Sequence, residues 1–113
     1  MLLVDDHPGF RRCARSLLTE EGFDVVGEAG DGATAVALAF ELEPDLVLLD
    51  IQLPDANGFE IAAQLLERTP GLTIVLISSR DRLEYGRAVE ASGARGFLAK
   101  DDLSGAALEE LLR

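Results

Sequence analysis

Acidic residues follow two of the short apolar runs in the sequence. Asp5 and Asp6 come after residues 2–4, and Asp50 comes after residues 46–49. Carboxylates that share one site cannot all stay ionised unless a cation offsets their repulsion or one of them retains a proton with a raised pKa. Mg²⁺ prefers oxygen ligands and is typically held by one or two carboxylates together with a phosphate oxygen. If these residues meet in the fold, they would form a Mg²⁺ site suited to phosphate chemistry.

A hydroxyl and an ammonium group follow two later apolar runs, at Ser78 and Lys100. Asp50, placed rigidly at the end of a buried strand, could act as a nucleophile on phosphorus and form an acyl phosphate. Lys100 could bind a phosphate oxygen as a point charge, and Ser78 could donate a hydrogen bond to another. Taken singly, Ser78 could be a helix-capping hydroxyl and Lys100 an exposed lysine with no specific role. Their position after predicted strands favours the chemical interpretation.

The elements that must position these residues alternate along the whole chain. Strands are predicted at residues 2–4, 23–28, 46–49, 73–77 and 96–99, and helices at residues 8–21, between 32 and 44, from 58 to 68, at 82–91 and at 106–112. This alternation is typical of an α/β fold built on a parallel sheet, and the continuously apolar run at 46–49 predicts a central strand covered on both faces. In such a sheet the loops after the strands form the ligand crevice, so the polar residues should share one edge.

Length and charge limit the classes of function. The chain has 113 residues, of which 48% are hydrophobic, so it fits one domain with one packed core. Its 10 basic and 21 acidic residues give a net charge of −11, which disfavours direct contact with nucleic acid or an anionic membrane. A single cysteine allows no intrachain disulfide, and a cytoplasmic location is expected. The abrupt ends of the pattern suggest a piece of a longer protein.

In combination, these residues resemble the response-regulator receiver family over essentially the whole chain. The resemblance rests on Val4-Asp5-Asp6, on residues 48–54 (LLDIQLP) followed by Gly58, and on Ser78 and Lys100. It implies a receiver domain spanning residues 1–113, with one doubly wound, flavodoxin-like parallel sheet. The implied strand order is 2-1-3-4-5, with five helices distributed over both faces.

The resemblance also implies a role for each matched residue. Asp50 would be the phosphoacceptor, phosphorylated by a sensor histidine kinase, with Ser78 and Lys100 assisting the transfer. The implied Mg²⁺ ligands are Asp5 (partly through water), Asp6, Asp50 and the backbone carbonyl of Gln52. The domain would catalyse its own phosphoryl transfer and slow autodephosphorylation, and would otherwise not be an enzyme.

The switch of the family couples the hydroxyl after the fourth strand to an aromatic residue on the fifth, which here are Ser78 and Phe97. Phosphate would draw Ser78 inward and Phe97 would follow, although Phe97 has an equal claim as a static core residue. The face formed by the fourth helix, fifth strand and fifth helix would report the change and could form a homodimer. Many members have Tyr in place of Phe97, and many have Pro in place of Asp101, which leaves the geometry of the Lys100–Asp101 bond open.

The opening residues 5–8 (DDHP) and the pair Arg11-Arg12 resemble receivers that are joined to helix-turn-helix DNA-binding domains. That likeness implies regulation of transcription through an output domain outside this chain. Two other functions stay open: a Mg²⁺-dependent phosphohydrolase and a degenerate receiver that serves as a dimerisation module. Phosphohydrolases of the haloacid-dehalogenase type usually carry a second aspartate two residues after the first, where this chain has Pro8 after Asp6.

Some of these residues also have simpler interpretations. Asp6 could merely cap the first helix, and His7 is expected to face solvent in a turn. Cys13, Phe10 and Phe23 are expected in the core. No G-x-G-x-x-G pattern follows the first strand, so nicotinamide binding is not expected.

Overall fold

The structure, a computed structural model, describes residues 1–80 and 84–113. Strands and helices alternate along the described chain, as the sequence predicts. The strands are β1 (Leu2–Val4), β2 (Gly27–Ala29), β3 (Leu46–Asp50), β4 (Thr73–Ser78) and β5 (Gly96–Ala99). The helices are α1 (Pro8–Glu20), α2 (Gly32–Leu42), α3 (Gly58–Arg68), α4 (Ala88–Ala91) and α5 (Gly105–Leu112), and a 3₁₀ turn covers Lys100–Asp102.

The strands form one parallel sheet in the order β2-β1-β3-β4-β5. This confirms the doubly wound topology and the predicted strand order. Every residue of β3 is buried, as its continuously apolar sequence requires at the centre of a parallel sheet. The chain order reverses between β1 and β3, so the loops that follow these two strands flank the crevice where such folds bind ligands.

Helices cover both faces of the sheet, and each face has its own apolar cluster. One cluster lies under α2, α3 and α4 and includes Ala35, Ala39, Ile61, Leu65, Leu76 and Val89. The other lies under α1 and α5 and includes Leu3, Ala14, Leu18, Leu48, Ile77 and Leu108. Among the described residues, no helix combines the length and apolar content needed to cross a bilayer.

The second strand is shorter than predicted and begins later. The sequence predicts a strand at residues 23–28, whereas β2 covers Gly27–Ala29. The reason is its partner: β1 begins at Leu2, which pairs with Gly27, so the residues before Gly27 have no strand beside them. The amino group of Met1 instead donates to the carbonyl of Asp24. Phe23 is half-buried against the cluster under α1 and α5, although it lies outside the strand.

The fourth helix is also shorter than the prediction of residues 82–91. Residues 82 and 83 lie outside the described chain, and α4 begins at Ala88. Gly86 adopts a φ of 56°, in the left-handed region, which a right-handed α-helix cannot pass through. Residues 84–87 therefore form a tight turn, and this turn places Tyr85 over the sheet.

Helix α1 corrects two predictions. Its N-cap is His7, which makes no side-chain capping bond, so the interpretation of Asp6 as the cap is wrong. Cys13 is exposed rather than in the core, because Ala14 and Leu18 carry the buried stripe of the helix. Phe10, in contrast, is half-buried against the cluster under α1 and α5, close to its predicted position.

Candidate functional site

Two carboxylates and an ammonium group meet at the carboxyl edge of the sheet. Asp5 is 1% exposed and Asp50 is 2% exposed, and they lie side by side because Val4 pairs with Leu49. Lys100 reaches them from the end of β5, with Nζ 2.5 Å from Asp5 Oδ2 and 3.3 Å from Asp50 Oδ2. The fold thus brings together three residues that lie far apart in the sequence.

Asp6 and His7 lie at the open side of this group. His7 Nδ1 is 3.0 Å from Asp6 Oδ1 and 3.4 Å from Asp5 Oδ1. The imidazole is 71% exposed, which agrees with a solvent-facing position but places it beside the carboxylates. We call Asp5, Asp6 and Asp50, with Lys100, the acidic cluster.

The acidic cluster has the chemistry of a site for a hard divalent cation. Asp5, Asp6, His7 and Asp50 each offer one ligand atom, and these atoms all lie within 4.8 Å of one another. Asp5 Oδ2 is buried and, apart from its ion-pair contact with Lys100, has no hydrogen-bond donor among the described residues. Three carboxylates against one ammonium group leave excess negative charge that a cation would offset. Oxygen donors of this kind fit Mg²⁺.

The surroundings of Asp50 pull its protonation in two directions. Burial disfavours its charged form, and this effect, with the nearby charge of Asp5, raises its pKa above the ordinary value. The Gln52 amide, which donates to Asp50 Oδ1 at 3.1 Å, and the Lys100 charge act in the opposite direction. Partial burial alone would lower the pKa of Lys100, but its contact with Asp5 and the charge of Asp50 outweigh burial, so the pKa is raised and Lys100 stays charged.

The loop after β3 folds back over Asp50. The Gly58 amide donates to the carbonyl of Ile51 at 2.6 Å, and Gln52 forms an isolated bridge with Asn57. A Cβ atom at position 58 would lie 2.6 Å from the Asp50 carbonyl oxygen, so this approach requires glycine. The main chain of Gln52 is thereby held beside the acidic cluster.

Asp55 ties the same loop to α2, which the sequence analysis missed. Its Oδ1 accepts the Gly32 amide at 2.7 Å, and its Oδ2 accepts the Ala33 amide at 3.0 Å. These two hydrogen bonds lower the pKa of the exposed Asp55 carboxyl. We call Asp55 with these two amides the loop anchor. The sequence held only a weak signal, an aspartate after Pro54, which is common in turns.

Ser78, at the end of β4, contacts Arg80 and Tyr85. It is fully buried, its Oγ lies 2.6 Å from the Tyr85 hydroxyl, and it accepts the Arg80 amide at 3.0 Å. The Tyr85 ring packs against Phe59 and Phe97, with centroids 5.8 Å and 6.0 Å away. Tyr85 was not predicted as a site residue, and its one signal is that it is the only tyrosine of the chain.

Two side chains of α1, Phe10 and Arg11, contact residues of the acidic cluster. Lys100 Nζ lies 4.8 Å from the centre of the Phe10 ring, a cation–π arrangement. The Arg11 guanidinium donates to the Asp5 carbonyl and, at 3.2 Å, to Glu28. The Lys100–Asp101 bond, left open by the sequence, is trans, since the described chain contains no cis peptide.

Comparison with known proteins identifies the family. The sequence profile of the response regulator receiver domain matches residues 1–112. The transcription regulator BvgA of Bordetella pertussis is 35% identical over 102 residues, 90% of this chain and 49% of BvgA. The DNA-binding transcriptional activator DevR/DosR of Mycobacterium tuberculosis is 40% identical over 102 residues, 89% of this chain and 47% of that protein. The chain therefore spans about half the length of these curated relatives.

Relatives also include an enzyme and a solved receiver structure. A protein-glutamate methylesterase/protein-glutamine glutaminase of Methanospirillum hungatei is 40% identical over 100 residues, 88% of this chain and 28% of that protein. The signal receiver domain of the response regulator NarL from M. tuberculosis superimposes with a TM-score of 0.84 at 34% identity, covering 98% of this chain and 94% of that one. The profile, the sequence relatives and the fold agree that the chain belongs to the response regulator receiver domain family of two-component signalling proteins.

Proposed function

We propose that this domain is a phosphorylation-dependent switch that accepts a phosphoryl group on Asp50 from a sensor histidine kinase. The observation that carries the proposal is the placement of Asp50, a buried carboxylate beside Asp5, with the Lys100 ammonium group in contact with both. A carboxylate held rigidly at a strand end, beside a fixed positive charge, is suited to attack on phosphorus.

In the proposed transfer, a carboxylate oxygen of Asp50 forms a bond to phosphorus while the bond from phosphorus to the kinase histidine breaks. The electron pair leaves with the histidine nitrogen, and Asp50 becomes an acyl phosphate. Lys100 binds a phosphoryl oxygen and Ser78 donates a hydrogen bond to another, so both offset the charge that the transfer brings into the site. The Gln52 amide keeps Asp50 oriented through its hydrogen bond to Oδ1.

Mg²⁺ would be held by Asp5, Asp6, Asp50 and the backbone carbonyl of Gln52. A bound Mg²⁺ would screen the repulsion between the Asp50 carboxylate and the incoming phosphate. The chain's own contribution is to gather these oxygens while Lys100 remains charged beside them. His7 is not needed for this role, because Mg²⁺ selects oxygen donors.

The output would be control of transcription through a domain outside this chain, as the names of its DNA-binding relatives suggest. We infer that α4, β5 and α5 form the responding surface and that two copies pair through it. We place the domain in the cytoplasm, where a sensor kinase could reach it. The domain would turn over no substrate besides its own phosphoryl group.

The test is incubation with acetyl phosphate and Mg²⁺, followed by mass spectrometry of the intact chain. One added phosphate is expected, and Asp50→Asn should abolish it. Asp45→Asn is the matched control, because Asp45 is exposed and lies just before the opposite end of β3. Absence of the adduct in the wild type would contradict the proposal and favour a degenerate dimerisation module. Repeated turnover of sugar phosphates would instead favour a phosphohydrolase.

A further inference from the structure

We infer that Tyr85 is a positioning residue for Ser78: its hydroxyl holds the Ser78 hydroxyl in the unphosphorylated state and competes for it with a phosphoryl group on Asp50. The inference rests on the proposed function of Asp50 and adds a residue on a different element from Phe97. It is motivated by the contact of 2.6 Å between Ser78 Oγ and the Tyr85 hydroxyl, a distance within the ordinary range for a hydrogen bond between two hydroxyls.

The hydrogen-bonding capacity of Ser78 explains the competition. Its oxygen already accepts the Arg80 amide at 3.0 Å, and its single hydrogen can be donated to one partner at a time. If Ser78 donates to Tyr85, that bond must break before Ser78 can donate to phosphate. If Tyr85 is the donor, Ser78 Oγ is still held at 2.6 Å from Tyr85 by a second accepted bond. In both arrangements, Tyr85 holds the Ser78 hydroxyl against the turn at residues 84–87.

The aromatic neighbours of Tyr85 give the contact a route to the surface of the domain. The Tyr85 ring lies between Phe59 of α3 and Phe97 of β5, tilted by 67° and 53° to their rings. Release of the hydroxyl would remove a polar restraint on this stack. Phe97 has no hydroxyl of its own, so Tyr85 supplies the polar group that couples the stack to Ser78.

The composition of the chain allows a direct spectroscopic test. Tyr85 is the only tyrosine and the chain has no tryptophan, so the near-ultraviolet absorption and fluorescence of tyrosine report on this one hydroxyl. We expect a spectral change when the chain is phosphorylated by acetyl phosphate with Mg²⁺. Ser78→Ala should show the same change without phosphate, because it lacks the partner of Tyr85. Phosphorylation of Ser78→Ala should then add nothing further, and Asp50→Asn should show no change.

A second measurement uses Tyr85→Phe, which keeps the ring and its packing but removes the hydroxyl. Loss of one net hydrogen bond to Ser78 should speed phosphorylation by acetyl phosphate roughly two- to tenfold. A purely structural role for Tyr85 would leave that rate unchanged.

The outcomes separate the two proposals. If mass spectrometry finds no phosphate on the wild-type chain, the proposed function of Asp50 fails. If phosphate is added but the tyrosine spectrum stays the same, the role of Tyr85 is overturned while that of Asp50 stands. An unchanged phosphorylation rate in Tyr85→Phe would also overturn the role of Tyr85. The wild-type spectrum decides the question even if a variant does not fold.

Discussion

Asp50 ends β3 and Asp55 lies in the loop that follows it, yet their surroundings shift the pKa of the carboxyl group in opposite directions. In the acidic cluster, burial and the charge of Asp5 raise the pKa of Asp50. At the loop anchor, the amides of Gly32 and Ala33 lower the pKa of Asp55, which is exposed to solvent. The same side chain is therefore costly to ionise at one place and favoured in its ionised form at the other.

The difference separates the proposed phosphoacceptor from a carboxylate that holds the loop to α2. The acidic cluster carries excess negative charge, since its carboxylates outnumber its ammonium group. A bound cation would therefore stabilise the folded chain. The loop anchor is complete, because each oxygen of Asp55 accepts one backbone amide. Variants that remove a charge from the acidic cluster or from the loop anchor test this comparison.

The largest effect is expected from Lys100→Met. This change leaves Asp5 and Asp50 buried without their positive partner, which should lower the free energy of unfolding by about 3 kcal/mol. Urea denaturation at neutral pH would measure it. Arg12→Met is the control, because Arg12 is exposed on α1. If the loss in the free energy of unfolding is no greater than that of the control, Asp5 and Asp50 do not depend on the Lys100 charge for their stability in the fold.

Addition of Mg²⁺ should stabilise the chain by a similar amount. A cation that binds only the folded chain adds about 2.7 kcal/mol at a hundredfold excess over its dissociation constant. Thermal unfolding with and without Mg²⁺ would measure the gain. Asp6→Asn should reduce it, whereas Asp45→Asn should leave it intact. An equal gain in wild type and Asp6→Asn would remove Asp6 from the cation site.

Asp50→Asn should stabilise the chain in the absence of Mg²⁺, by about 1 kcal/mol, because it removes a desolvated charge that Asp5 repels. Since the folded pKa of Asp50 is raised, its carboxyl favours the folded state below its ordinary pKa, and this benefit is lost as pH rises through the folded pKa. The advantage of Asp50→Asn should therefore be present at neutral pH and disappear in acid. Denaturation at a series of pH values would show it, and a destabilised variant at neutral pH would contradict it.

The smallest effect is expected from Asp55→Asn, with the opposite sign. The folded pKa of Asp55 is lowered, so its contribution to stability is present above its ordinary pKa and is lost as pH falls through the folded pKa. The variant should be slightly less stable than wild type at neutral pH and equal to it in strong acid. Thermal unfolding would detect the difference, with Asp45→Asn as the control. Matching pH profiles for Asp50→Asn and Asp55→Asn would end the distinction between the two regions.

The sequence predicts correctly those features of the fold that depend on the pattern of a single helix or strand. The apolar run of β3 indicated a central buried strand, and the residues after each strand indicated which edge carries the polar groups. The wrong predictions concern the bounds of elements, which depend on contacts or conformations outside the local pattern. The bounds of β2 depend on where β1 begins, and the start of α4 depends on the left-handed conformation of Gly86.

The two residues that the sequence analysis missed act through contacts that join different elements of the fold. Asp55 binds the start of α2, 23 residues before it, and Tyr85, in the turn at residues 84–87, contacts Ser78 at the end of β4. Neither contact lies within one helix or strand, so the hydrophobic periodicity of a single element does not predict it.

The sequence by itself determined the parallel α/β architecture and the types of polar residue at its carboxyl edge, because hydrophobic periodicity and residue type are local properties. The tertiary structure decided how strongly each polar group is desolvated and which partner it meets. Burial and hydrogen bonding depend on residues far apart in the chain, which is why Asp50, at the end of β3, is a candidate phosphoacceptor and Asp55, in the loop that follows, is an anchor.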